Sequence, residues 1–143
     1  MTRKEVRANA MKLLYALSLR DDTVAALYAI AEEDPDAEIL VDDAVKELTD
    51  GTIAHMDEID GIIGRLSPKR QITRIPKLCL AIIRLAMYEM HWDDGTPVNA
   101  AVSEAVKLAE EYTPQPEDVR FINGVLGSYA RELSGGKEGG SAS

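Results

Sequence analysis

Two stretches of the chain place cations next to an aromatic ring at a spacing that suits an unpaired nucleic-acid strand. Lys4, Arg7, Met11 and Tyr15 recur at i, i+3, i+7 and i+11, one narrow stripe of a helix, with Arg3 beside its start. Arg120 and Phe121 open the segment RFINGVLGSYAR. Single-stranded RNA is held by cations on its phosphates and flat rings against its splayed bases, and each stretch offers both. Lys69 and Arg70 lie in SPKRQITRIP, a polar, proline-bounded connection, and such loops commonly carry contact residues. Tyr15 also fits a packing role with its hydroxyl hydrogen-bonded. Asn123 and Gly124 read as structural, with the glycine admitting a neighbouring backbone and the asparagine bonding a nearby loop.

Catalytic chemistry finds no comparable set. Cys79 sits in an apolar stretch as a core residue, and one cysteine cannot form an internal disulfide. His55 and His91 are isolated, without metal-ligand spacing. No phosphate loop, GxGxxG or nucleophile elbow occurs. The expectation is a non-enzyme with no cofactor and no metal.

The net charge of −9 argues against a nucleic-acid partner only if taken as one number. Residues 1–20 balance to +4, residues 21–60 to −13 with fourteen acids and one base (Lys46), and residues 65–84 to +6 with no acid at all. Because charges in water are screened beyond about 8 Å at physiological salt, the two basic islands act locally.

Helices must position these groups, because no convincing alternating strand occurs. The 143 residues suffice for one domain with a real core. The periodicity predicts a first helix from about Thr2 to Leu19, with Val6, Ala10, Leu13 and Leu17 buried. A second covers about Asp22 to Glu33, capped by Asp21 or Asp22. A long third runs from about Asp36 to Leu66, bent or broken at Gly51. A fourth reaches about Trp92, apolar on nearly every side and so central. Its Arg84, expected to be largely buried, then needs a carboxylate, expected to be Glu89 or Glu104. Two more helices span about Val98 to Tyr112 and Glu117 to Leu133. The domain is therefore expected over residues 1–133, with residues 134–143 a flexible Gly/Ser-rich tail.

The longest apolar stretch, Leu78 to Trp92, has 15 residues and is interrupted by Arg84, Glu89 and His91. A membrane helix needs roughly 20. The N-terminus is basic and then apolar, but Lys12 interrupts it and no small-residue cleavage site follows. A cytoplasmic helix is the expectation.

Four motifs in order carry a family likeness. Arg7, Ala10, Leu14 and Tyr15 form R..A...LY; Leu78 to Glu89 ends in a run of the LR.a.yE type; PVNAAVSEAVKLAEEY and RFINGVLGSYA follow. Together they resemble the NusB family of bacterial transcription antitermination factors, over about residues 3 to 131. The resemblance implies an all-α fold of six to seven helices in two small packed bundles. It also implies an adaptor that binds boxA RNA together with NusE, a ribosomal small-subunit protein, and joins the RNA polymerase antitermination complex, chiefly in ribosomal RNA operons. Some relatives of this kind are homodimers, so a homodimer is a further expectation.

The chain departs from the family pattern in three places. Its first helix has a thinner arginine cluster, Ser103 replaces an asparagine, and Gly127 replaces an acidic residue. Two other readings stay open: a helical protein-interaction module, favoured by the net acidity, and a NusB-like accessory domain of the kind that precedes a ribosomal RNA methyltransferase. A helix-turn-helix reading lacks a short helix with base-reading side chains.

Overall fold

The computed structural model describes the backbone of residues 1–142 and the side chains of residues 1–135. Seven α-helices and no strand occur among the described residues. They are α1 (Arg3–Leu19), α2 (Val24–Glu33), α3 (Asp43–Ala54), α4 (Met56–Leu66), α5 (Lys77–Trp92), α6 (Val98–Tyr112) and α7 (Pro116–Ala142), with a 3-10 turn at Ile72–Arg74. The expected tail falls mostly outside the described side chains.

Local chemistry sets the helix starts. Thr2 and Glu5 form a reciprocal capping box on α1, Thr23 caps α2, and Asp42 caps α3. The cap of α2 is therefore Thr23, rather than Asp21 or Asp22. The expected long third helix is two helices and a loop. Residues 34–42 stay irregular, tied to α1 where the Leu40 amide donates to Asn9 Oδ1 at 2.9 Å. The break falls at His55, and α3 continues through Gly51.

α5 is the hub. It packs against α1, α3, α4, α6 and α7, joining the α1–α3 group to the helices that follow it and to α4. Ten of its sixteen residues are buried, as a helix apolar on nearly every side requires. Polar contacts fix its direction relative to its neighbours. Arg3 reaches Asp93, Arg7 reaches Glu89, and Lys77 reaches the Ser18 carbonyl, so α1 and α5 are antiparallel. Tyr129 meets His91 and Arg70 meets Phe121, so α7 runs parallel to α5.

Arg84 is paired with Asp60 of α4, not with Glu89 or Glu104. Its Nε and Nη2 donate to the two carboxylate oxygens at 2.8 and 2.9 Å. Glu89 lies five positions along the same helix, about 140° round, and so faces another neighbour. Glu104 instead accepts from Lys107 at 3.2 Å.

Two helical glycines have opposite surroundings. A Cβ on Gly51 would run into the Tyr88 ring, whereas one on Gly124 would meet nothing within 4 Å. Gly51→Ala should therefore destabilise the protein by about 1–3 kcal/mol through overpacking. Gly124→Ala should stabilise it by about 0.5–1 kcal/mol, the ordinary helix preference for alanine. Denaturant midpoints of the two variants should move in opposite directions. Equal signs would show that the Tyr88 contact does not govern Gly51.

Candidate nucleic-acid interface

The basic residues separate into two groups at opposite ends of α5. At the C-terminal end, Glu89 is almost fully buried, 1% exposed. A buried carboxylate needs cations and donors around it. Arg7 Nε donates to Oε1 at 2.8 Å, and Arg3 Nη2 donates to Oε2 at 3.2 Å. Arg3 Nη2 also donates to Asp93 at 2.9 Å, and the Thr96 hydroxyl lies 3.2 Å from Glu89 and 2.8 Å from Asp93.

This corrects the first-helix stripe. Arg7 is 8% exposed and Met11 1%, so the stripe faces the core and Arg7 is a structural ion-pair partner. Arg3 is half-exposed, with its guanidinium engaged by two carboxylates. Lys4 is exposed at this same end of the molecule. Tyr15 is half-buried and packs against the core from the other half of α1.

At the N-terminal end of α5 a second group converges. The loop before α5 brings the Arg70 guanidinium over the Phe121 ring, 4.7 Å from its centroid. Lys69 and Arg120 stand exposed on either segment. Two sequence-distant basic elements thus meet through one cation–π contact. Nearby on the same end, Lys12 Nζ lies 5.5 Å from the Tyr112 centroid, linking α1 to the end of α6. Lys12 and Tyr112 were not among the sequence candidates. Their only prior signal was a lysine interrupting an apolar run and a tyrosine ending a helix.

The two groups are offset along α5, and Arg7 is buried rather than part of an exposed face. Glu89, which holds Arg7, is ten positions along α5 from Cys79, whose thiol feels both Arg70 and Asp118. Ten positions is about 15 Å of helix, at 1.5 Å per residue. Burial is the main cause that pushes the Cys79 thiol up to about 11, which leaves it protonated and unreactive at neutral pH.

Asn123 and Gly124 are exposed, and the glycine admits no neighbouring backbone, so its expected packing role is not realised. Among the described residues, the Asn123 side chain has no hydrogen bond to a loop. It lines a groove of about 520 Å³ between α6 and α7, together with Asn99, Ser103, Lys107 and Arg131. At the far end of α5, Trp92 is stacked between His55 and His91, with centroids 4.2 and 4.0 Å away. Among the described residues, no group of three His, Cys, Asp or Glu side chains could hold a metal ion, and no helix is long and apolar enough to cross a membrane.

Comparison with known proteins points one way. A family model described as the NusB family matches residues 4–131. The transcription antitermination protein NusB of Acetivibrio thermocellus is 36% identical over 131 residues, 92% of this chain and 90% of that protein. Its counterpart in Heliobacterium modesticaldum is 35% identical over 93% of this chain, which spans 64% of that longer protein. A structure of T. maritima NusB matches with a TM-score of 0.79 at 25% identity, covering 92% of both chains. A crystal structure of the antitermination factors NusB and NusE in complex with double-stranded RNA matches with a TM-score of 0.74 at 26% identity, covering 88% of this chain and 93% of that one.

Proposed function

This chain belongs to the NusB family, and on that premise we propose that it is a transcription antitermination adaptor rather than an enzyme. It binds boxA-type single-stranded RNA together with NusE in the cytoplasm and delivers both to RNA polymerase. The observation that carries this reading is the convergence of Lys69 and Arg70 with Arg120 and Phe121 at one end of α5. Cations and a ring lie side by side there, on elements 50 residues apart in sequence. The likeness to a complex of NusB and NusE with double-stranded RNA supports NusE and RNA as partners.

Phosphate contacts in this reading come from Lys69, Arg70 and Arg120, with Lys12 at the margin. Each phosphate neutralised on a single strand releases counterions and contributes about −0.7 to the slope of log affinity against log salt. Three or four contacts predict a slope of about −2 to −3. A filter-binding titration with boxA-like and scrambled RNA, with and without NusE, measures it. A flat plot would exclude the basic end as the RNA surface. Equal binding of both RNAs with NusE present would favour a general polyanion binder instead.

A further inference from the structure

We propose that Arg70 is a placeholder for an RNA base: its guanidinium covers the one accessible face of Phe121 in the free protein and leaves when a base stacks there. The proposal rests on the RNA-binding reading above. Phe121 is half-buried and packs against the core, so only its outer side is available. Arg70 lies on that side, 4.7 Å from the ring centroid. This falls within the about 4.5–7 Å between centroids of stacked rings, so guanidinium and base compete for one position.

Arg70 is also free to leave. It forms no ion pair among the described residues and stands on a loop, so the cation–π contact with Phe121 is the specific interaction that its departure breaks. A planar, weakly hydrated guanidinium shields an exposed ring from water better than an ammonium would. Once displaced, its N–H groups donate to phosphate oxygens, adding a charge contact as the stack forms. The exchange couples two events: a base must be present for the arginine to be released onto the backbone. A phosphate chain without a base in register leaves it in place.

Phe121 is the single phenylalanine of the chain, so its ring protons are unambiguous in an NMR spectrum. In the full-length protein, the Arg70 side-chain protons should lie upfield through the ring current and return to ordinary positions in Phe121→Leu. Saturation with a single-stranded boxA oligonucleotide should abolish the upfield displacement while the Phe121 protons themselves move. An abasic oligonucleotide of equal phosphate count, at saturation, should leave Arg70 on the ring. Arg70→Gln should make the salt slope shallower by about 0.7. If Arg70 stays upfield in the saturated complex, or if the abasic strand displaces it equally, the placeholder is overturned while RNA binding stands. If the filter assay finds no saturable binding, the RNA reading itself falls, and the placeholder with it.

Discussion

Glu89→Ala is expected to lower stability by about 3–5 kcal/mol, because it leaves the buried Arg7 guanidinium without a counter-charge. The loss spreads further. Arg3 and Thr96 both turn to the same carboxylate, so the start of α1 and the loop before α6 lose a shared anchor. The melting midpoint should fall by about 10 °C or more for a domain of this size. Glu89→Gln, which keeps the shape and an acceptor oxygen, should fall in between. Glu33→Ala is the control: that glutamate is exposed, and its removal should stay within about 0.5 kcal/mol. A Glu89→Ala variant as stable as the parent would show that the network contributes nothing net.

The largest effect on binding is expected from Phe121→Leu, which keeps an apolar side chain against the core but removes the flat face. Base–aromatic stacking is worth about 1–3 kcal/mol, so RNA affinity should drop roughly 5- to 150-fold. The salt slope should remain, since no phosphate contact is touched. Arg120→Glu should show the opposite signature, with a shallower slope and unchanged stability. A Phe121→Leu protein that binds RNA like the parent would exclude the ring as a stacking surface.

Much of the fold was legible because periodicity and end signals act locally. α1, α5 and α6 lie where the apolar spacing placed them, and the centrality of α5 followed from its apolar girth. The break after α3 was not, because Gly51 looked like the weak point. Its absent side chain instead makes room for Tyr88, a contact 37 residues away that no local rule contains. The partner of Arg84 was equally hidden: which of several acids it meets depends on how α4 and α5 are rotated against each other. At the candidate site, charge misled at Arg7. A cation at helical spacing with Lys4 reads as surface until the stripe is seen to include Met11, which belongs to the core. Phe121 and Arg70 each stood out as candidates from residue type and position. That they touch is a property of the packing.

The Arg7–Glu89 pair also has a consequence in time. Its members are 82 residues apart, and a ribosome adds about 5–20 residues per second, so about 4–16 s separate the appearance of the arginine from that of its partner. Throughout that interval α1, with its Thr2–Glu5 capping box, can pack only on α2 and α3, and the Arg7 side has no counter-charge to dock against. The contact between α1 and α5 therefore forms late in synthesis. The face of α1 that carries Arg7 must wait for α5, and the nascent chain spends those seconds with that face uncovered.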